Sequence, residues 1–178
     1  VTPDSFHDGG RYLDQAAAIR RAEELLAEGA DLIDVGAEST RPGAEDVPAA
    51  IQLERVRDVV RELVRFGATV SVDTRLAEVA APLLELGARV VNDVSGLGDP
   101  AMAAAVARAD ASLVIMHMKG APRTMQVDPR YADLFAEISG LLKERLASAE
   151  AAGVARARIA LDPGLGFGKT AADNLRLI

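Results

Sequence analysis

The 178 residues make a chain of 18.7 kDa, 49% hydrophobic and 26% charged, which suits one domain with its own core and excludes the disordered and fibrous classes. Twenty basic against twenty-seven acidic side chains leave a net charge of −7, so a broad nucleic-acid footprint is not expected and any bound anion needs a local site. The absence of cysteine argues against disulfides and Cys-held metals, and the absence of a long apolar run or a basic-then-apolar leader argues for a cytoplasmic setting.

Ala18, Ile19, Ala22, Leu25 and Leu26 recur at helical spacing, and Gly29 follows where helices commonly end in a left-handed residue. A short strand, Leu32-Ile33-Asp34-Val35, comes next. The pattern then repeats: Leu53, Val56, Val60, Leu63 and Val64 make a helical stripe, Gly67 closes it, and Thr69-Val70-Ser71-Val72 is β-branched and strand-like. Val79, Leu83 and Leu86 lead through Gly87-Ala88 to Val90-Val91, and Leu113-Val114-Ile115-Met116 is a further strand. Leu134, Ile138, Leu141, Leu142 and Leu146 then precede Gly153 and the strand Ile159-Ala160-Leu161.

Short apolar strands alternating with amphipathic helices predict an α/β protein with a parallel sheet buried on both faces. A doubly wound sheet and a TIM (β/α)8 barrel both satisfy that alternation. The strand ends favour the barrel: Asp34 with Glu38, Asp73, Asn92 with Asp93, His117, and Asp162 suggest a ring of polar groups around one mouth. Eight units need about 250 residues, so this span is expected to hold about five to six βα units of an incomplete barrel. It is expected to form a single domain over residues 1–178. Val1 stands where Met would open a chain, and Ile178 falls within a helical pattern, so truncation at both ends is expected.

Two strand-end loops, Thr2 to Gly10 and Glu38 to Val47, are rich in turn residues. Ser39, Thr40 and Arg41 beside Pro42-Gly43 offer hydroxyls and a guanidinium for phosphate or pyrophosphate oxygens; a helix-capping loop with a solvated arginine is the competing reading. Asp73, Asn92 and Asp162 supply carboxylates and an amide, which suits a heterocycle with a ring N–H and an exocyclic amino group. Each of them alone could instead satisfy neighbouring backbone. Asp162-Pro163-Gly164-Leu165-Gly166-Phe167-Gly168-Lys169 lacks Walker spacing, since Gly164 stands only five residues before Lys169, so nucleoside triphosphate binding is not expected. Its glycines would instead let backbone approach a flat ligand, with Phe167 as one wall. His117 is expected to be a structural imidazole, Met116 serves core or ligand wall equally, and Glu137, Lys143, Glu144 and Arg145 are expected on a solvated helix face.

Taken together, Val1-Thr2-Pro3-Asp4-Ser5-Phe6 with Asp8-Gly9-Gly10, Asp34 through Gly43, Ser71-Val72-Asp73-Thr74, Asn92-Asp93-Val94-Ser95-Gly96, Met116-His117-Met118-Lys119-Gly120 and Asp162 through Phe167 closely resemble the dihydropteroate synthase family, in the family's order and across the whole chain. The resemblance implies a (β/α)8 barrel of folate biosynthesis that joins p-aminobenzoate to (7,8-dihydropterin-6-yl)methyl diphosphate, releasing pyrophosphate. It implies pterin-binding roles for Asp73, Asn92 and Asp162, with Val94, Met116 and Phe167 as apolar walls. Thr40 and Arg41 match the family's diphosphate contacts, and Phe6 and Pro42 match the p-aminobenzoate pocket where sulfonamides compete. Asp8 matches a carboxylate that helps hold Mg2+, and Asp8, Arg41 and Asp162 are the residues expected to carry catalysis. A homodimer is likewise implied, with small molecules rather than nucleic acid or membrane as partners.

Departures accompany the match. His7 stands where the family usually has Ser, and the family's Asn before the position of Val1 and its C-terminal Ser-Arg-Lys and Arg-x-His motifs fall outside the span. The span alone is therefore expected to be inactive and poorly stable. Two alternatives share the visible motifs in part: a non-catalytic pterin-binding paralogue, and a methyltetrahydrofolate corrinoid methyltransferase, which would not need the TPDSF and ESTRPG loops. A phosphate-binding barrel isomerase lacks a proton-transfer pair.

Overall fold

A computed structural model describes residues 15–38, 46–120 and 124–178. Helices and strands alternate throughout: α1 (Gln15–Ala27), β1 (Ile33–Gly36), α2 (Ala49–Arg65), β2 (Val70–Asp73), α3 (Ala77–Glu85), β3 (Val90–Asp93), α4 (Met102–Arg108), β4 (Ser112–Met116), α5 (Leu134–Ala151), β5 (Ile159–Asp162) and α6 (Ala171–Leu177). All strand pairs are parallel, and the five strands lie side by side in chain order. A doubly wound sheet reverses its order at a switch point, whereas a barrel does not. The described residues thus form an arc of a (β/α)8 barrel, with β1 and β5 at its two edges.

The helix-to-strand transitions explain the repeated Gly-Ala signal. Gly29, Gly67 and Gly87 follow α1, α2 and α3 at φ of 100°, 82° and 110°, the left-handed conformation that ends a helix and turns the chain back toward the sheet. The turn after α4 uses Asp110 instead, at φ 50°. That substitution, together with the run MAAAVAR, leaves α4 without an obvious glycine stop or charged stripe in the sequence.

The core lies between the helices and one face of the sheet. Leu63 of α2, Leu83 of α3, Val106 of α4 and the strand residues Val70, Val91, Leu113 and Ile115 are fully buried. Each such side chain contributes about 1.5–3 kcal/mol by leaving water. One helix start is held from a distance: the Asp99 carboxylate accepts the Ala77 N–H of α3 at 2.8 Å and the Ala101 N–H at 2.9 Å. Side-chain acceptors of this kind replace the missing intrahelical partners of first-turn N–H groups.

Candidate functional site

Strand register decides which side chains can meet. In the aligned row Gly36, Asp73, Asn92, Val114 and Ala160, each residue is paired with the next across β1 to β5. Met116 pairs with Asp162 two residues further along. Because successive side chains alternate across a strand, Asp34, Asp73, Asn92, Met116 and Asp162 all share one face of the sheet. It is the face opposite Val72, Val91, Leu113 and Ile115, whose side chains pack under the helices. Four of the polar groups expected at the strand ends, Asp34, Asp73, Asn92 and Asp162, are therefore brought to one surface.

The face is electrostatically tense. Burial, reinforced by the Asp34 and Glu38 carboxylates, pushes the Asp73 carboxyl up to about 7. Asn92 donates through Nδ2 to Asp34 Oδ2 at 3.4 Å. Asp162 is held at the start of the loop after β5, where its Oδ1 accepts the Gly164 N–H at 2.7 Å and its carbonyl accepts the His117 N–H at 2.9 Å. Val94 and Met116 are each 3% exposed yet stand apart from the helix–sheet core. Phe167 is half-buried in the loop after β5. Carboxyl and amide groups beside apolar side chains suit a flat heterocycle that presents N–H groups along one edge.

Not every strand-end group belongs to this face. Asp93 follows Asn92 on β3 and so points to the helix side, where it is fully buried. There it accepts the Ser95 N–H at 2.9 Å, the Ser95 hydroxyl at 2.6 Å and the Leu97 N–H at 2.8 Å, which shapes the turn after β3. Burial raises its carboxyl above the usual range, and those hydrogen bonds oppose the shift. Glu38 is likewise withdrawn: it accepts from Arg75 Nε at 2.9 Å, Gln52 Nε2 at 3.2 Å and the Val47 N–H at 3.3 Å. His117 is buried against Lys169, as expected of a structural imidazole. The ring of mouth groups expected from the strand ends is thus corrected in part: Glu38, Asp93 and His117 hold loops, because alternation or burial turns them away.

Phe6, Asp8, Thr40, Arg41 and Pro42, with His7, lie outside the described residues. The ends of the segment carrying Thr40 and Arg41 are nevertheless joined: Gln52 donates to both Glu38 and the Val47 carbonyl, and Arg75 spans Glu38 and Asp46. Gln52 and Arg75 carried no motif in the sequence. Their signal is burial, since Gln52 is fully buried on α2 and Thr74 donates to its Oε1 at 3.2 Å. Among the described residues no three His, Asp or Glu side chains gather in a metal-holding arrangement, and no helix is long and apolar enough to cross a membrane.

Dihydropteroate synthase of Escherichia coli strain K12 is 42% identical over 179 residues, covering 100% of this chain, which spans 64% of that relative's length. The structure of Yersinia pestis dihydropteroate synthase with a sulfonamide drug superposes with a TM-score of 0.92 at 42% identity, covering 99% of this chain and 65% of that one. The Burkholderia cenocepacia dihydropteroate synthase, complexed with 7,8-dihydropteroate, gives 0.86 at 43% identity, covering 92% of this chain and 59% of that one. The family described as pterin binding enzyme matches residues 1–178 in full, and the chain belongs to that family.

Proposed function

We propose that this chain carries the pterin site of a dihydropteroate synthase, which condenses (7,8-dihydropterin-6-yl)methyl diphosphate with p-aminobenzoate to give 7,8-dihydropteroate and pyrophosphate. The observation that carries the reading is the shared face of Asp73, Asn92 and Asp162, beside Met116. The relatives named above, one of them complexed with 7,8-dihydropteroate, support it.

In this reading Asp162, Asn92 and Asp73 accept from the ring N–H and amino groups and orient the pterin, while Val94, Met116 and Phe167 wall its faces. The bond between the methylene carbon and the diphosphate oxygen breaks, and its electron pair leaves with pyrophosphate. The ring and the Asp162 carboxylate stabilise the cation that develops at the methylene carbon. The amine of p-aminobenzoate then forms the new carbon–nitrogen bond and loses its proton. No side chain acts as a nucleophile. Thr40 and Arg41 would hold the diphosphate, and Phe6 and Pro42 the p-aminobenzoate. A Mg2+ ion would neutralise charge on the leaving group when bound, with Asp8 as this chain's ligand; the described residues supply no further cluster for it.

The remaining assignments belong to the same reading: residues 1–178 as a single barrel domain, a homodimer of the complete enzyme, and a cytoplasmic setting. The test is formation of 7,8-dihydropteroate from both substrates with Mg2+, by the complete reading frame and by this span in parallel. Turnover by the complete chain alone is expected. Pterin binding without turnover by either would make the protein a non-catalytic pterin binder.

A further inference from the structure

The far end of the loop after β5 is tied by its neighbours: Gly166 donates its N–H to Asn174 Oδ1 and accepts from Gln126 Nε2, each at 2.8 Å, and the Gly168 carbonyl accepts from the Tyr131 hydroxyl at 2.7 Å. Gly164, Gly166 and Gly168 turn the loop at φ of 69°, 83° and 61°, and glycine is the residue with most conformational freedom to lose. Two of these glycines press against the main chain that leaves β4. A Cβ at Gly164 would stand 2.1 Å from the His117 carbonyl oxygen, and one at Gly168 would stand 2.7 Å from that of Lys119.

Lys169 closes the knot. Its side chain is 3% exposed, and its Nζ lies 2.8 Å from the Gly164 carbonyl, 2.9 Å from that of Phe167, 3.3 Å from that of His117 and 3.0 Å from His117 Nδ1. An ammonium has only donors, so His117 Nδ1 accepts and the ring proton sits on Nε2. Burial, together with the Lys169 charge, holds that imidazole neutral down to about 4. Burying an ammonium against carbonyls and an imidazole is costly, and a site that needed only bulk would be filled better by Met or Leu.

The acceptors are what give the arrangement meaning. Phe167 and Gly164 belong to the loop that carries the apolar wall, and Gly164 itself donates to the Asp162 carboxylate. His117 follows Met116, the other wall, and donates its N–H to the Asp162 carbonyl. One buried cation therefore gathers the backbone of Phe167, of Gly164, which donates to the Asp162 carboxylate, and of His117, which follows Met116. We propose that Lys169 is a positioning residue for the pterin ring, fixing the Asp162 carboxylate and the Phe167 side chain relative to Met116. This rests on the reading of that face as the pterin site.

The test compares wild type and Lys169→Met in the complete reading frame. Calorimetry with 6-hydroxymethyl-7,8-dihydropterin gives ring affinity directly, and steady-state kinetics separate the two substrates. Expected are an affinity loss and a rise in KM for the pterin diphosphate of about ten-fold or more, with KM for p-aminobenzoate within about two-fold. A folded variant with wild-type pterin affinity would overturn the proposal. If the variant does not fold, 15N-lysine NMR of wild type decides: the Lys169 ammonium signal is expected to shift when the pterin is added, and a signal that stays in place overturns the role. Wild type that binds pterin without making product would strike the synthase reading and leave this comparison intact.

Discussion

Arg75 joins two carboxylates of opposite exposure: its Nε is 2.9 Å from Oε1 of Glu38, whose side chain is 3% exposed, and its terminal nitrogen is 2.8 Å from Asp46, 76% exposed. Removing the guanidinium leaves a buried anion with only the neutral donors Gln52 and the Val47 N–H, whereas removing Asp46 deletes a solvated one. Arg75→Met is expected to cost about 3 kcal/mol and Asp46→Ala less than about 1 kcal/mol in urea unfolding. Equal losses would show that the buried half of the bridge has no special weight.

Asp99 supplies the only side-chain oxygen bound to the first N–H of α3 among the described residues. Asp99→Ala is expected to lower stability by about 1–2 kcal/mol, while Asp99→Asn, which keeps an acceptor, recovers most of it. Thermal melts of both variants check this, and two similar losses would refute the capping role.

Asp73 is raised from 3.8 to about 7 by burial, then by Asp34 and Glu38. A carboxyl that binds its proton more tightly in the folded state makes folding more favourable at low pH. Its contribution should weaken as pH climbs from about 4 to 7 and level off above. Asp73→Asn is expected to remove that slope and to weaken pterin binding by about 1–3 kcal/mol. Stability curves at several pH values and calorimetry with the pterin are the measurements; an unchanged slope or affinity counts against each claim separately.

Gly164→Ala is expected to damage the loop after β5 more than any other glycine change there, because the new Cβ meets the His117 carbonyl at 2.1 Å and φ is 69°. Gly166→Ala, with nothing within 4 Å of its Cβ, carries only the strain of φ 83°. Amide hydrogen exchange across residues 162–169 should rise sharply for the first and slightly for the second. The reverse order would contradict the packing described.

Leu161, Leu165, Leu175 and Ile178 are 42%, 44%, 76% and 90% exposed along the β5 edge and the segment after it. Apolar side chains beside an unpaired parallel edge promote association. The 178-residue span expressed alone is expected to lack a cooperative thermal transition as a monomer, while the complete reading frame melts cooperatively. A sharp transition from a monomeric span would sink this expectation.

The strands, the α/β class and the barrel were legible because the glycine stops and β-branched runs act locally, as at Gly67 before Val70 to Val72. Helix α4 escaped because Asp110 does a glycine's work after it. The shared face of Asp73, Asn92 and Asp162 was legible because each stands near the C-terminal end of its strand, Asp73 and Asn92 in one row and Asp162 two residues further along. Glu38, Asp93 and His117 sit at similar strand ends but serve loops, and only burial and alternation tell them apart. Lys169 gives no signal for a related reason: the spacing that excludes a triphosphate site says nothing of an ammonium folded back onto its own loop.

Asn92 and Asp93 are consecutive, yet one faces the slot and the other the helices. Pairing β3 one residue out of step would exchange them, sending an amide to the place where the Ser95 and Leu97 donors await an anion and turning a carboxylate toward Asp34 and Asp73. The same misalignment would expose Val91, which is fully buried. Strand alignment is thus checked by one dipeptide: a sheet paired in the wrong register would set an amide among donors arranged for a carboxylate and break up the face shared by Asp34, Asp73, Asn92 and Asp162.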